Sequence, residues 1–397
     1  MPRVLIAGVS TRALAESAAR AGYRVLAVDG FGDLDLRHVA EVRLARDARD
    51  RASPGAAVRV ARGAQAEGVV YVASFENHPR AVRRLAAGRA LWGNPPEVLE
   101  RVRDPLLVAD TLARQGLATP AVRAGAPRSG RSGGGGGGGR SWLAKPRASG
   151  GGSGIVAWRP GRRAPRDPYF QERIAGVPGS IVFAADGRHA VPLGLSRLLA
   201  GERAFGAAGF RYSGSILVGR GDPAFTDDER LCARAIGLAE AITRAFGLVG
   251  VNGIDFIARD GTPFPIEVNP RYTAAMELVE RAYGLSIFDI HARACAGHLP
   301  AFDLAAARHA PLSPPRAIGK AILYARGDVV LGDTRPWLED DSVRDVSAPG
   351  QRCRRGQPIC TIFAAAGDAV ECRAALGRRA AALYAELEAH RSGARSA

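Results

Sequence analysis

The sequence has few of the features that build zinc, disulfide or membrane-spanning structures. Its five cysteines form no CxxC pair, and its seven histidines show neither HxH nor HExxH spacing. These gaps argue against a zinc site and favour buried thiols in a reducing compartment. No run approaches the ~20 apolar residues of a membrane span, and the start "MPRVLIAGVS" shows no basic-then-apolar leader. We therefore expect a cytoplasmic protein with no membrane partner.

Lysine is nearly absent. Of the 55 Lys and Arg residues, only Lys145 and Lys320 are lysines. The net charge of +16 is spread along the chain without aromatic interleaving or a concentrated basic tail, so we attribute it to compositional bias and expect no nucleic-acid partner. Lys145 is informative against this background, because a site that needs a compact ammonium group cannot use the planar guanidinium of arginine instead.

The N-terminal segments predict an α/β unit with a parallel sheet. "RVLIAG" (3–8), "TRALAESAARAG" (11–22) and "YRVLAVD" (23–29) read as strand, amphipathic helix and strand, and "GVVYVA" (68–73) is a further strand. No GxGxxG follows the first strand, so the dinucleotide fingerprint is absent. Asp29 ends the second strand, where either a ribose-binding acid or an ordinary strand-end aspartate fits.

Residues 253–271, "GIDFIARDGTPFPIEVNPR", predict a hairpin with one polar face. Alternation of this kind indicates half-buried strands. We predict a three-residue turn at Arg259-Asp260-Gly261, which places position 255 opposite position 265. The even-numbered residues are apolar or small, namely Ile254, Phe256, Ala258, Phe264, Ile266 and Val268, whereas the polar residues Asp255, Glu267, Asn269 and Arg271 are odd-numbered.

The polar face of this hairpin offers oxygen ligands. Two carboxylates, Asp255 and Glu267, and the amide oxygen of Asn269 would converge within roughly 7–8 Å. Mg²⁺ or Mn²⁺ would relieve the repulsion between the carboxylates. The alternative is a surface hairpin whose outer face is acidic without a function.

Two glycine clusters have different predicted roles. The run Gly133–Gly139 packs nothing and is predicted to be a disordered surface loop. In "WLAKPRASGGGSGIVAW" (142–158), a strand delivers Lys145 and the loop Ser149–Gly154 leads into a second strand. Such a loop offers backbone N–H donors to phosphates, or it is a flexible hairpin tip. Strands around "PYFQERIAGVPGSIVFAADGR" (168–188) and an amphipathic helix over 226–248, capped at Thr226, precede the hairpin.

The order of these motifs resembles the ATP-grasp superfamily, especially the carboligase-like members related to biotin carboxylase. The motifs are Lys-Pro with a glycine loop, a QERI segment, a long helix and D…E-x-N-x-R. The resemblance implies an α/β fold with a Rossmann-like N-terminal domain (1–94) and a two-lobed ATP-grasp domain (95–300). The lid lobe would cover about 95–167 and the metal-binding lobe about 168–300. A small β-rich C-terminal subdomain (301–397) would close the chain with a strand in "GQPICTIFA" and a terminal helix.

The resemblance also implies residue roles. Arg271 would stabilise the transferring phosphoryl group or the acyl phosphate, and Asp255, Glu267 and Asn269 would hold Mg²⁺ or Mn²⁺. The family usually has Asp-Lys at the start of the grasp domain, whereas this chain has Asp104-Pro105, so Arg101 or Arg103 would have to replace the lysine. The residues implied to contact ATP are Lys145 at the phosphates, Ser149, Gly150, Gly151, Gly152, Ser153 and Gly154 in the lid, and Gln171, Glu172 and Ile174 around the adenine.

The function that the resemblance implies is an ATP-dependent carboxylate–amine ligase that passes through an acyl phosphate and releases ADP and phosphate. Its partners would be small carboxylate and amine substrates and a second copy of the chain in a homodimer, and cofactor or small-peptide biosynthesis would be its setting. Two alternatives stay open, a carboxylase subunit that uses bicarbonate and a non-catalytic nucleotide-binding regulator. No biotin-attachment Met-Lys-Met occurs, so a carboxylase would need a separate carrier protein.

Overall fold

The computed structural model describes residues 1–48, 51–127, 140–219, 221–310 and 317–396. The run Gly133–Gly139 therefore lies outside the described residues. Within these ranges the chain forms a five-stranded parallel sheet, an eight-stranded and a four-stranded antiparallel sheet, and a two-stranded ribbon, with helices packed against them. This mixture of strands and helices confirms the α/β class expected from the sequence.

The N-terminal part is a parallel sheet of strand order β3-β2-β1-β4-β5. Strands β1, β2 and β4 are buried almost throughout, which explains their near-continuous apolar runs. The strand order reverses between β1 and β4, where open α/β sheets place their ligand crevices. The elements are β1 Arg3–Ala7, α1 Arg12–Arg20, β2 Arg24–Asp29, α2 Leu34–Val39, β3 Ala40–Leu44, α3 Pro54–Val60, β4 Gly68–Tyr71, a 3-10 turn Phe75–Asn77, α4 Pro79–Leu85 and β5 Ala90–Leu91.

Two helices lead into a small antiparallel sheet of order β6-β9-β7-β8. Lys145 lies on β7, and the glycine loop joins β7 to β8, so the predicted strand–loop–strand arrangement is present. The elements are α5 Pro96–Val102, α6 Pro105–Arg114, β6 Val122–Arg123, β7 Trp142–Pro146, β8 Val156–Trp158 and β9 Pro168–Glu172.

The largest sheet is antiparallel, with strand order β14-β13-β10-β11-β12-β15-β19-β17. Helix α7 covers one face over Ile181 and Phe183, while α8 and α9 cover the other over Val182 and Ala184. Its elements are β10 Val177–Asp186, β11 Ala190–Ala200, a 3-10 turn Arg203–Phe205, β12 Tyr212–Val218, α7 Asp228–Phe246, β13 Val249–Arg259, β14 Thr262–Asn269, α8 Met276–Tyr283, α9 Ile287–Cys295 and α10 Leu304–His309.

The C-terminal strands continue this sheet. They are β15 Ala317–Tyr324, β17 Val343–Arg344 and β19 Pro358–Ala366; the ribbon is β16 Val329–Val330 with β18 Arg352–Cys353, and a 3-10 turn Arg335–Glu339 and the terminal helix α11 Ala369–Ser396 complete the chain. The predicted strand in "GQPICTIFA" and the terminal helix are thus present. None of the helices in the described ranges is long and apolar enough to cross a membrane.

The cap of α7 differs from the prediction by one residue. Asp227, not Thr226, is the N-cap, and its side chain accepts a hydrogen bond from the backbone N–H of Arg230. The carboxylate is a good cap because it also faces the positive end of the helix dipole.

Candidate functional site

The hairpin that carries Asp255 and Glu267 turns more tightly than predicted. Arg259 pairs with Thr262, so the loop is the two-residue turn Asp260-Gly261. Both loop residues have positive φ, 49° and 63°, as a type I′ turn requires. The predicted three-residue turn is therefore wrong. Aspartate tolerates the left-handed region well enough that Asp-Gly closes the hairpin without Arg259.

A bulge restores the polar face that this turn would otherwise split. The pairing shifts between Asp255 and Phe256, so Phe256 faces Pro265 whereas Asp255 lies directly opposite Glu267. Ile266 is the extra residue between them. The two carboxylates thus meet across the hairpin, because Asp255 pairs two residues beyond position 265, where it was predicted to pair.

The bulge also changes which side chains of β14 are buried. Pro263 and Pro265 are buried, whereas Phe264 and Ile266, predicted on the core face, are only half-buried. Proline is tolerated here because β14 is the edge strand of its sheet.

Asp255 and Glu267 have opposite electrostatic environments. Burial, followed by the charge of Glu267, raises the pKa of Asp255 to about 6. Burial alone would also raise the pKa of Glu267, but the charges of Arg103 and Lys145 hold it below its ordinary value. Asn269 Nδ2 donates to Asp255 Oδ2 at 3.1 Å. The pair therefore combines one fully ionised carboxylate with one that a cation would help to ionise.

Of the two arginines predicted to replace the missing lysine, Arg103 contacts Glu267, whereas Arg101 lies against helix α7. The Arg103 guanidinium donates to Glu267 Oε1 at 2.9 Å and to the carbonyl oxygen of Val268 at 2.8 Å. Arg101 instead donates to the carbonyl oxygen of Ala245 and lies over the ring of Phe246.

The predicted Asp104-Pro105 position is the start of helix α6. Asp104 is its N-cap and accepts from the backbone N–H of Leu106 at 2.9 Å, with Pro105 in the first turn. Aspartate and proline at these two positions are well suited to begin a helix.

Lys145 is buried and reaches the bulge from the small sheet. Its Nζ donates to Gln171 Oε1 and to the carbonyl oxygen of Ile266, both at 3.1 Å. Because Ile266 is the bulged residue, its carbonyl oxygen is free for this contact instead of a ladder hydrogen bond. The bulge and the lysine therefore fix each other beside Glu267.

The glycine loop lies against the large sheet. Gly152 has a φ of 75°, and a Cβ there would come within 1.8 Å of the carbonyl oxygen of Phe210. Tyr212 N–H donates to the Gly151 carbonyl at 3.0 Å, and the Ser153 N–H donates to the Gly150 carbonyl at 3.2 Å. Only glycine fits at position 152, so this residue allows the loop to pack against the Phe210 carbonyl.

The loop, Lys145 and the hairpin line a cleft that opens to solvent. Of the predicted nucleotide residues, Lys145, Ser149, Gly152 and Gln171 line it, together with Glu267. Glu172 does not line this cleft: its Oε2 accepts from the Ala121 N–H at 3.1 Å. Ile174 lies just past the end of β9 and is also outside the lining.

Arg271 lies on the far side of the carboxylate pair. Its Nη2 donates to Asn269 Oδ1 at 3.1 Å, and its Nε donates to Glu76 Oε1 at 2.8 Å. Sequence reasoning missed Glu76 and its neighbour Asn77, which accepts from Arg103. The available signal was their position directly after β4, at the carboxyl end of a parallel strand.

The chain is similar to known proteins in both sequence and fold. Residues 102–275 match the family model of the ATP-grasp domain. The large chain of carbamoyl phosphate synthase from Beutenbergia cavernae is 24% identical over 269 residues, which cover 61% of this chain and 24% of that protein. The chain thus spans about a quarter of that relative's length.

Solved structures resemble the fold over nearly the whole chain. L-amino acid ligase from Bacillus licheniformis has a TM-score of 0.65 and 16% identity, covering 95% of this chain and 96% of that one. N5-carboxyaminoimidazole ribonucleotide synthetase from Thermus thermophilus has a TM-score of 0.63 and 20% identity, covering 97% and 98%. Biotin carboxylase from Campylobacter jejuni has a TM-score of 0.68 and 14% identity, covering 94% and 89%.

Proposed function

Because residues 102–275 match the family model of the ATP-grasp domain, we propose that this chain is an ATP-dependent ligase that joins a small carboxylate to an amine and releases ADP and phosphate. The observation that carries the proposal is the direct pairing of Asp255 with Glu267 beside a cleft lined by Arg103 and Lys145. Opposed carboxylates next to two cations are suited to a metal-bound polyphosphate.

The residues present fit Mg²⁺ or Mn²⁺. Asp255, Glu267 and the Asn269 amide oxygen would hold the ion, and an all-oxygen donor set suits these hard cations. Within the described ranges no group of three or more His, Cys, Asp and Glu side chains could hold a metal ion. The proposed site has two carboxylates, so nucleotide phosphates would have to complete the coordination of the ion. The bound ion would supply charge neutralisation at those phosphates.

In this proposal the cleft binds ATP. Lys145 and the backbone N–H groups of Ser149–Gly154 would contact the phosphates, and Gln171 would lie beside the adenine. Glu172 and Ile174 lie outside the cleft and have no side-chain role in this proposal. Arg103 would supply the second positive charge that the usual lysine provides.

The reaction proceeds in two displacements. A carboxylate oxygen of the first substrate attacks the γ-phosphorus of ATP, the bond from that phosphorus to the β-γ bridging oxygen breaks, and ADP leaves. The amine nitrogen of the second substrate then attacks the acyl carbon, the C–O bond to phosphate breaks, and the amide and phosphate result. Arg271 would offset charge on the phosphoryl group during these steps, so catalysis rests on positioning and electrostatics.

The test is a substrate panel with hydroxylamine, which intercepts an acyl phosphate as a hydroxamate. The resemblance to an L-amino acid ligase makes the twenty standard amino acids the first acids to assay, and bicarbonate with and without biotin tests the carboxylase alternative. We expect ADP and a hydroxamate with at least one acid. AMP and pyrophosphate as products would overturn the proposed reaction. Tight ATP binding with no acid-stimulated ADP would favour the regulator.

The variant Glu267→Gln tests the metal assignment in the same assay. It keeps the shape of the side chain but removes the charge, so turnover should fall by about 10²-fold or more while the protein stays folded. Asp260→Asn changes an exposed carboxylate in the turn of the same hairpin and should retain wild-type turnover. Wild-type turnover by Glu267→Gln would remove the metal from the proposal.

A further inference from the structure

Two consecutive residues of the N-terminal domain contact the two arginines of the candidate active site. Asn77 Oδ1 accepts from Arg103 Nε at 3.1 Å and from Nη2 at 2.9 Å. Glu76 Oε1 accepts from Arg271 Nε at 2.8 Å. Since Arg103 also contacts Glu267, this dipeptide brings the N-terminal domain to both sides of the carboxylate pair.

Glu76 uses only one of its two carboxylate oxygens in these contacts. Its side chain is 1% exposed, and its Oε2 atom has no hydrogen-bond partner among the described residues. Leaving a buried acceptor unpaired is unfavourable, and more so when the group is charged. The buried Oε2 atom can therefore still accept a hydrogen bond from a strong donor, since Oε1 alone holds Arg271.

Glu76 lies at the edge of the parallel sheet where open α/β sheets bind their ligands. It follows β4 at the carboxyl end of the sheet, beside the point where the strand order reverses. A buried carboxylate oxygen without a hydrogen-bond partner is unusual in a folded core.

We propose that Glu76 Oε2 binds the protonated amino group of the second substrate, an inference that rests on the proposed ligase function. An ammonium group offers three N–H donors and a positive charge, so it pairs well with a carboxylate that Arg271 already holds in place. Glu76 then lies between the charge-bearing Arg271 and the incoming nucleophile. The N-terminal domain thereby supplies the amine subsite, and the ATP-grasp domain supplies the phosphoryl-transfer site.

The proton balance of the step is complete with these groups. The ammonium gives one proton to Glu76 Oε2, and the neutral nitrogen attacks the acyl carbon. The C–N bond forms, the C–O bond to phosphate breaks, and the second proton leaves with the departing phosphate. Glu76 returns its proton to water after the amide is released.

The test compares a charged with an uncharged nucleophile in Glu76→Gln. Gln retains an oxygen for Arg271 but loses the carboxylate charge. A lost charge-assisted hydrogen bond of about 1.5–3 kcal/mol corresponds to a rise of about 10- to 100-fold in KM. We expect this rise in KM for the amino acid that serves as the amine substrate. Hydroxylamine is uncharged near neutral pH, so the rate of hydroxamate formation should change by less than about threefold.

Three outcomes separate this inference from its alternatives. If hydroxamate and amide formation fall equally, Glu76 acts only by positioning Arg271, and an unchanged amine KM also overturns the inference. Glu76→Asp keeps the charge and should recover part of the amine affinity, which remains measurable even if Glu76→Gln fails to fold. Glu97→Gln removes an exposed carboxylate paired with Arg83 and should match the wild type. If the wild type forms no hydroxamate with any acid, the proposed function itself fails, and the inference falls with it.

Discussion

Arg103, the residue directly before Asp104-Pro105, donates a hydrogen bond to Glu267 Oε1 at 2.9 Å. The guanidinium also donates to the carbonyl oxygen of Ser149 in the glycine loop at 3.2 Å. One side chain thus connects the loop with a predicted metal ligand. We propose that this cation, one residue before the position of the family's lysine, takes the place of that lysine.

Replacing Arg103 should weaken ATP use strongly. Arg103→Gln removes a half-buried charge beside Glu267 and the contact to the loop, so we expect the KM for ATP to rise by about 10- to 100-fold, the effect of losing a hydrogen-bonded charge. Arg101→Gln is the matched control, because the exposed Arg101 contacts Ala245 and Phe246 at the end of α7. Steady-state ADP release checks both. Equal effects of the two variants would contradict the assignment.

Two glycines of the loop should respond very differently to alanine. At Gly152 a Cβ would collide with the Phe210 carbonyl and φ is positive, whereas a Cβ at Gly150 meets nothing within 4 Å. Gly152→Ala should therefore reduce ATP turnover by about tenfold or more, since the loop could no longer lie on the sheet. Gly150→Ala should retain near-wild-type turnover. Deleting Gly133–Gly139 should also leave turnover and melting temperature nearly unchanged.

Metal affinity should depend on pH through Asp255. Its pKa of about 6 means that a proton competes with the metal below that pH. The apparent Kd for Mn²⁺ should rise by up to about tenfold per pH unit below pH 6 and level off above it. Titration calorimetry with Mn²⁺ between about pH 5 and pH 8 checks this. A Kd that does not change over this range would contradict the ligand role, and Asp260→Asn should leave the profile as in the wild type.

The hairpin shows how far the sequence alone could predict the site. Alternation correctly placed Asp255 and Glu267 on strands with a shared polar face, but through a wrong turn. A three-residue turn without a bulge and a two-residue turn with a bulge both place Asp255 and Glu267 on the same face of the hairpin. Asp260-Gly261 suits both, and the positive φ of Asp260 is settled by the folded hairpin. Pro263 and Pro265 were the overlooked sign of an edge strand with irregular pairing.

The contacts of the N-terminal domain could not be predicted in the same way. Glu76 and Arg271 are 195 residues apart, and their meeting depends on how two sheets pack. The parallel sheet itself was predictable because its strands are continuous apolar runs. A contact between one carboxylate and a distant arginine produces no repeating pattern in the sequence from which it could be predicted.

A buried ionic cluster at the junction of three segments should dominate stability. Glu277 on α8 bonds to Arg12 on α1 and to Lys320 on β15, and Arg12 Nε donates to Asp345 at 3.0 Å. Arg12, Glu277 and Lys320 are each at most 5% exposed. Glu277→Gln would leave two buried cations undercompensated, so we expect a loss of about 3–5 kcal/mol in the free energy of unfolding at neutral pH.

The pH dependence of that loss follows from the pKa of Glu277. Although burial would raise it, Arg12 and Lys320 hold it well below its ordinary value. A lowered pKa stabilises the fold above the unfolded-state pKa of about 4.3, and the effect fades as pH falls toward the folded-state pKa. The gap between wild type and Glu277→Gln in urea unfolding should therefore be constant from about pH 8 to pH 5 and shrink below. Glu41→Gln, at an exposed ion pair, should lower the free energy of unfolding by at most about 1 kcal/mol at any of these pH values. A comparably small loss for Glu277→Gln would show that the cluster does not hold the three segments together.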